Sequence, residues 1–168
     1  MQETPENGTN GQRQMLSGER DYESAIDRVI DSAQHTLHIF DGDLASGGYS
    51  SLKRYDALNA FLRKSGKNRL IIILHETELA SAYCPRIMNL LKSYSHAMAI
   101  HKTMEHARIA MDPFVVADDL HYVHRFHRDG TRSLLAINDP AGARQIEERF
   151  QQLLEASHPA VFATTLGL

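Results

Sequence analysis

Residues 69–75 read RLIIILH and contain the longest aliphatic run of the sequence, at positions 70–74. A run that is apolar at every position is typical of a strand buried on both faces, as the strands of parallel sheets are. It is far too short to cross a bilayer. The stretch therefore predicts the central strand of a sheet that is covered by helices on both sides.

The segments before this strand alternate between helical and extended patterns. Apolar residues recur at helical spacing from Asp21, and residues 35–40 (HTLHIF) then read as a strand. Ser50 or Ser51 is placed to cap a second helix before the central strand. This order is typical of layered α/β proteins.

The alternation continues after the central strand. The predicted elements are, in order, a helix from Pro85, a strand at 97–101, a hairpin of 114–117 and 122–126 around Asp118-Asp119, a strand at 133–138 and a long helix that starts at Asp139-Pro140. Strands that alternate with helices predict an α/β fold with a mostly parallel or mixed sheet and helices on both faces.

Composition fits one globular domain. The chain has 168 residues, of which 42% are hydrophobic and 23% are charged. Residues 1–18 are polar and rich in Gln, Asn and Gly, which predicts a flexible N-terminal leader before a single domain at 19–168. The last eleven residues, HPAVFATTLGL, are apolar enough to pack on the domain or to contact a partner.

Charge and cysteine content restrict the class of protein. The net charge is −3, whereas proteins dedicated to duplex nucleic acid are usually basic, so there is no strong nucleic-acid signal. Cys84 is the single cysteine, which excludes an internal disulfide and favours a reducing compartment such as the cytoplasm. No basic segment followed by an apolar one opens the sequence, so neither a secretory signal nor a membrane span is predicted.

The second half of the chain resembles one half-domain of the phospholipase D-like superfamily. The likeness rests on three stretches, which read FVVADDLHYVHRF, LLAIND and ARQIEERFQQLLEAS. Asp118-Asp119, Asn138-Asp139 and Phe150 stand where that family has its hairpin turn, a step into the last helix and an aromatic residue late in that helix. The resemblance implies a phospholipase D-like half-domain fold for residues 19–168. Because such half-domains pair, it also implies a homodimer.

A more specific resemblance is to a bacterial domain that often follows N-acetyltransferase domains. It is carried by short phrases, which here read FDGDL at 40–44, CPR at 84–86, DPF at 112–114, HRFH at 124–127, NDP at 138–140 and ATTLGL at 163–168. This resemblance implies an acetyltransferase as a partner, and it brings no activity that could be carried over to this chain.

The phospholipase D-like enzymes use His-x-Lys with an aspartate that follows after four residues. The nearest match is His106-Ala107-Arg108, with Asp112 one position early. Arginine still binds phosphate, but a shift of one residue on a strand turns a side chain to the opposite face. We therefore interpret the motif as degenerate. His106, Arg108 and Asp112 are candidates for an alternative, a phosphodiesterase with a rearranged motif.

Polar residues at strand ends are the predicted binding site, because ligands of open α/β sheets bind at such ends. Asp41 and Asp43 follow the first strand, where they could bind Mg²⁺, pair with Arg125 or cap a turn. Arg125 offers a fork of donors to an anion. The candidate ligand-binding residues are Asp41, Asp43, His75, His96, His124, Arg125 and His127.

Neither a metal site nor a cofactor is predicted. His121, His124 and His127 lack the spacing of a zinc site. Cys84, directly before Pro85, is either activated by a helix N-terminus or simply buried, and the buried state is favoured. The sequence thus favours a non-catalytic binding or interaction module for an anionic ligand such as phosphate. The other two hypotheses are the phosphodiesterase and a regulatory partner of an acetyltransferase.

Overall fold

A computed structural model describes residues 11–160 of the chain. Its strands are β1 (Gln12–Ser17), β2 (Thr36–Asp41), β3 (Arg69–Leu74), β4 (Met98–Thr103), β5 (Phe114–Ala117), β6 (His121–Arg125), β7 (Arg132–Ile137) and β8 (Ser157–Pro159). Its helices are α1 (Glu19–Ser32), α2 (Leu52–Arg63), α3 (Glu78–Tyr83), α4 (Pro85–Ser93) and α5 (Pro140–Glu155), and a short 3₁₀ turn (Glu105–Ala107) follows β4.

The strands form one mixed sheet in the order β1-β7-β6-β5-β2-β3-β4-β8. β2, β3 and β4 are parallel at its centre, and the remaining neighbours pair antiparallel. The edge at which β2, β3 and β4 end is called the carboxyl edge below, and β6 also ends there. The predicted α/β class with a mixed sheet is confirmed, and the parallel part is confined to three strands.

Helices cover both faces of the sheet. α1, α2 and α4 pack on one face, called the α1 face, over a core that includes Ile26, Leu37 and Ile72. α5 packs on the other, the α5 face, over a second core that includes Phe40 and Phe150. Ile72 and Ile73 point to opposite cores and both are fully buried, which is why residues 70–74 are apolar at every position.

The helix starts confirm the capping residues that the sequence indicated. The Ser51 hydroxyl accepts a hydrogen bond from the Arg54 amide at 3.1 Å and begins α2. The Asp139 carboxylate accepts one from the Gly142 amide at 3.3 Å, with Pro140 at the first position of α5. Both helices therefore begin where a side-chain oxygen satisfies a free backbone amide.

The predicted hairpin is formed by β5 and β6, and its turn is also attached to β2. Asp118 and Asp119 have φ values of 55° and 53°, and positive φ at both central residues is the mark of a type I′ turn. The Asp118 carboxylate accepts hydrogen bonds from the amides of residues 34–36, at 2.6, 2.8 and 2.9 Å. The turn thus fixes where β2 begins.

The N-terminal segment differs from the sequence prediction. Gln12–Ser17, placed in the flexible leader, forms β1 and pairs antiparallel with β7. The strand is polar because it is an edge strand with mostly exposed side chains, so it lacks the apolar alternation of a core strand. The rest of the leader, 1–10, and the apolar tail at 161–168 lie outside the described residues. Within residues 11–160, every helix is too short or too polar to span a membrane.

Candidate functional site

A cavity of about 90 Å³ opens at the carboxyl edge on the α1 face, between the loops that follow β2 and β6. Three of the predicted ligand-binding residues line it, namely Asp41, Asp43 and Arg125. The other lining residues are Ala45, Ser46, Pro113, Arg128 and Asp129. The cavity is therefore mostly polar and is built from strand ends, where the sequence placed the site.

Asp41 is the most deeply buried acid of this cavity, with 5% of its surface exposed. Its Oδ1 atom accepts hydrogen bonds from the amides of Asp43 at 3.2 Å and Leu44 at 3.3 Å. Burial raises the pKa of Asp41 to about 6, because the loss of solvent outweighs these backbone donors. Asp41 thus gives the cavity a carboxyl group that is costly to ionise.

Arg125 lies beside Asp41 but is bonded to other groups. Its Nη1 donates to Glu19 Oε2 at 2.9 Å, while Nε and Nη2 both donate to the Gly130 carbonyl, at 2.9 and 2.7 Å. The guanidinium also lies over the Tyr22 ring, 5.1 Å from its centroid. Glu19, on the first turn of α1, neutralises Arg125 and accepts a further bond from the Gly47 amide. Arg125 is therefore a structural link between β6 and α1.

Arg128 is the more available cation of the cavity. Its side chain is 42% exposed, and its nearest carboxylate oxygens, on Asp43 and Asp129, are each 3.9 Å away. Its guanidinium lies over Gly42, with Nη1 3.1 Å from the position that a Cβ atom would occupy. Gly42 therefore leaves the room in which Arg128 reaches the mouth of the cavity.

His75 and His124 lie on the opposite face of the sheet. His75 is buried, with Nδ1 2.7 Å from Thr103 Oγ1 and Nε2 2.6 Å from the Ala110 carbonyl oxygen. His124 Nε2 lies 2.8 Å from Asp112 Oδ2. Alternation along β6 separates His124 from Arg125, so the two candidate ligand-binding residues do not share the cavity.

Two other predicted residues do not join the site. His96 lies at the opposite edge of the sheet, because α4 carries the chain back to the start of β4. The expectation that it shares a pocket with Asp41 is wrong. The side chain of His127 is 55% exposed, and its nearest carboxylate is that of Asp129, 3.9 Å away. β6 ends at Arg125, so strand geometry does not direct the side chain of His127 toward the cavity.

The candidate catalytic residues are dispersed. His106 lies in the exposed 3₁₀ turn after β4, and Arg108, just beyond it, pairs with Glu76. Asp112 instead contacts His124 and Arg149 on the α5 face. Although burial acts to raise the pKa of Asp112, the bonds from His124 and Arg149 hold that pKa below its usual value. Arg108 and Asp112 thus contact different partners, and His106 is exposed on its turn.

Cys84 and the acidic groups give no sign of metal or thiol chemistry in the described part of the chain. Cys84 is buried, and burial raises the pKa of its thiol to about 11. Residues 11–160 contain no group of three or more His, Cys, Asp or Glu side chains arranged to hold a metal ion. Cys84 is therefore a small packed residue, the state that the sequence favoured.

Glu19, Tyr22 and Arg128 belong to the site although the sequence analysis did not select them. Glu19 and Tyr22 come from α1, whose apolar spacing predicted a helix but not the contact between its first turn and Arg125. Arg128 follows the end of β6, where no periodic pattern orients a side chain. The pairing of Arg125 with Glu19 follows from the long-range docking of α1, which short sequence patterns do not encode.

Solved structures confirm the fold at low sequence identity. Nuc from Salmonella typhimurium, a phospholipase D family member, has a TM-score of 0.67 at 13% identity, and the match covers 91% of this chain and all of Nuc. NucT from Helicobacter pylori has a TM-score of 0.60 at 14% identity and covers 90% of this chain and all of NucT. Both support the phospholipase D-like fold.

The same fold is found within a longer protein. TrmBL2, an archaeal chromatin protein with a novel mode of DNA binding, has a TM-score of 0.67 at 13% identity. The match covers 95% of this chain, which spans only 57% of TrmBL2. No curated protein matches the sequence. A family model described as "Domain of unknown function (DUF7931)" matches residues 18–162. The chain belongs to this DUF7931 family, and its fold is phospholipase D-like.

Proposed function

We propose that the chain is a non-catalytic binding module that takes a small polar ligand in the cavity at the carboxyl edge. The observation that carries the proposal is the placement of Asp41, Asp43, Arg125 and Arg128 around one cavity at strand ends. Strand ends at the carboxyl edge are where open α/β sheets bind ligands. Of the candidate catalytic residues, in contrast, Arg108 and Asp112 contact separate partners and His106 is exposed.

Arg128, rather than Arg125, is the proposed contact for an anionic group of the ligand. Arg125 already donates hydrogen bonds to Glu19 and Gly130. The closest carboxylates to Arg128 are 3.9 Å away, which leaves its donors available at the mouth of the cavity. An arginine at this position binds a carboxylate or phosphate oxygen without breaking a short internal bond.

The test is a titration with inorganic phosphate and with acetate, followed by amide NMR. We expect both anions to shift the amides of Gly42 and Arg128, and we expect Arg128→Gln to abolish the shifts. Arg144→Gln is the matched control, because Arg144 is exposed on α5 and remote from the cavity. Shifts that persist in Arg128→Gln and disappear in Arg144→Gln would contradict the proposal.

The phosphodiesterase alternative stays a prediction, and an activity assay tests it directly. Turnover of bis(p-nitrophenyl) phosphate by the wild-type chain and by His106→Ala is compared with the uncatalysed background. We expect equal rates, because His106 is exposed on a 3₁₀ turn and Arg108 pairs with Glu76. A rate above background that depends on His106 would replace the binding proposal with an enzymatic one.

A second copy of the chain is the proposed protein partner. Four apolar side chains are exposed in the loops of the carboxyl edge, namely Met104, Ile109, Met111 and Phe126, with 42%, 85%, 39% and 46% of their surface exposed. These residues lie along one edge of the sheet, where exposed apolar side chains mark a candidate contact surface. We expect light scattering to report a dimer that Ile109→Glu dissociates. A wild-type monomer at high concentration would exclude this partner.

The acetyltransferase partnership, the cytoplasmic location and a bacterial source stay predictions from the sequence. No feature of residues 11–160 favours the acetyltransferase over another protein partner. Copurification of the chain with an acetyltransferase encoded in the same genome would support that partnership.

A further inference from the structure

The buried end of the cavity holds a carboxylate that has no cation as a partner. Asp41 Oδ1 accepts hydrogen bonds from two backbone amides, and within residues 11–160 neither carboxylate oxygen is paired with a basic side chain. The guanidinium that lines the same cavity, on Arg125, is bonded to Glu19 and Gly130. A buried carboxylate normally has a cation or several donors as partners. Asp41 lacks the cation.

A buried hydroxyl near Asp41 has no hydrogen-bond partner. Tyr22 is 2% exposed, and its hydroxyl has no hydrogen-bond partner within the described part of the chain. Its ring lies directly beneath the Arg125 guanidinium. Burial raises the pKa of Tyr22, and the nearby charge of Asp41 raises it further. Buried polar groups of folded proteins are rarely left without partners, so the unpartnered Tyr22 hydroxyl and the unpaired charge of Asp41 both favour a polar ligand at this end of the cavity.

The charges around the cavity select the kind of ligand. Four carboxylates, those of Glu19, Asp41, Asp43 and Asp129, surround two guanidinium groups, and Glu19 already neutralises one of these. A simple anion bound at Arg128 is weakened by repulsion from Asp41 and Asp43, whereas a simple cation at Asp41 leaves Arg128 without a ligand contact. A molecule that carries both charges matches both ends of the cavity.

We infer that the ligand is a small zwitterion, whose ammonium group contacts Asp41 Oδ2 at the buried end and whose acidic group contacts Arg128 at the mouth. This inference rests on the proposed binding function and names the class of ligand. The order of the two ends follows from burial, because Asp41 is 5% exposed and the Arg128 side chain 42% exposed. The cavity volume of about 90 Å³ restricts the ligand to a few heavy atoms.

Three probes with the same three-carbon skeleton test the inference. β-Alanine carries both charges, propionate only the anion and propylamine only the cation. Each is titrated into the full-length chain by amide NMR at pH 7.5, and the variants are Asp41→Asn and Arg128→Gln. Asp119→Asn is the matched control, because Asp119 is an exposed aspartate in the β5–β6 turn, at the opposite edge of the sheet from the cavity. We expect β-alanine to bind at least tenfold tighter than propionate or propylamine does.

The two variants separate this inference from the proposed function. Asp41→Asn is expected to reduce β-alanine to the affinity of propionate, and Arg128→Gln is expected to reduce it to that of propylamine. Equal affinities of β-alanine and propionate in the wild-type chain, both lost in Arg128→Gln, would overturn the zwitterion and leave anion binding intact. The absence of binding by all three probes would overturn both. The amide shifts of each unliganded variant are compared with those of the wild-type chain. Differences confined to residues near Gly42 and Arg128 establish that the variant is folded.

Discussion

Asp41 is a carboxyl group whose burial makes the folded state less stable as the pH rises. Its pKa is raised from 3.8 to about 6, so the folded state binds a proton more tightly than the unfolded state does. Stability from this group is complete below pH 4 and is lost as the pH rises through 6. At neutral pH the loss is on the order of 2–3 kcal/mol.

We therefore expect Asp41→Asn to stabilise the chain at pH 7.5 by up to about 3 kcal/mol, while it removes the ligand contact. Asparagine keeps the oxygen that accepts from Asp43 and Leu44. Urea unfolding at pH 7.5 and pH 4.5 measures the difference, which should shrink at the lower pH. The groups that face Asp41 are Tyr22, Tyr49, Asp43, Cys84 and Arg125. The same stability gain at both pH values would show that the gain has another cause.

Asp112 has the opposite dependence on pH. Bonds from His124 and Arg149 lower the pKa of Asp112, so its contribution to stability is present above pH 4 and is lost as the pH falls through the folded-state pKa. We expect Asp112→Asn to lower the free energy of unfolding at pH 7 by about 1–3 kcal/mol. Urea unfolding measures this, and exposed Asp129→Asn is the control. A neutral effect would mean that water replaces the carboxylate.

The sequence selected three of the residues that line the cavity. Asp41, Asp43 and Arg125 could be selected because alternation and strand ends fix where such side chains point. Arg128 was missed because it lies in a loop after β6. His96 was placed at the wrong edge, because the direction in which α4 returns the chain was not considered.

The turn of the β5–β6 hairpin is held in place by one carboxylate. Asp118 accepts three backbone amides, whereas Asp119 is exposed in the same positive-φ conformation. We expect Asp118→Ala to cost about 2–4 kcal/mol, since three charge-assisted bonds are lost. Asp119→Gly should stabilise by roughly 0.5 kcal/mol, because glycine suits the second position of a type I′ turn. Thermal unfolding of both variants tests these two predictions, and equal changes in Tm would contradict them.

The start of α5 depends on a glycine that contacts β6. A Cβ atom at Gly142 would lie 2.3 Å from the Tyr122 hydroxyl and 2.4 Å from Asp139 Oδ2. These two groups share a 2.9 Å hydrogen bond, and Arg13 of β1 contacts the same carboxylate. We expect Gly142→Ala to destabilise the chain although alanine is intrinsically better in helices by about 1 kcal/mol.

Ala141→Gly is the matched control for Gly142→Ala. Ala141 is the exposed neighbour in the same helical turn, so its replacement should cost only the helix propensity, about 1 kcal/mol. Urea unfolding compares the two. If Gly142→Ala raised the midpoint, the Asp139–Tyr122 contact would not be restricting that position.

At the scale of the whole molecule, the alternation of helices and strands was predictable and the outer strands were not. Residues 70–74 indicated the centre because burial on both faces requires apolar side chains at every position. β1 and β8 are stabilised by pairing with β7 and β4 and not by their own composition. α3 was also missed, since six residues are too few for a periodic pattern.

The position of the strands sets the expected order of local opening. β2 and β3 lie inside the sheet with helices on both faces, whereas β1 and β8 are the outermost strands. Amides of central strands open only with global unfolding, and edges open at lower free energy. We expect native-state hydrogen exchange to be slowest at Ile39 and Ile72 and fastest in β8. Protection of β8 equal to that of β3 would require a further strand on the free edge.

The directions of β1 and β8 have a practical consequence for anyone who modifies this molecule. β1 begins at the edge of the sheet opposite the cavity, and β8 runs toward that edge. They are the two outermost strands of the sheet and lie roughly 33 Å apart at ordinary strand spacing. Fluorophores attached at residues 11 and 160 would therefore form a ruler across the width of the sheet. Immobilisation through either attachment point should leave the binding mouth open to the solution.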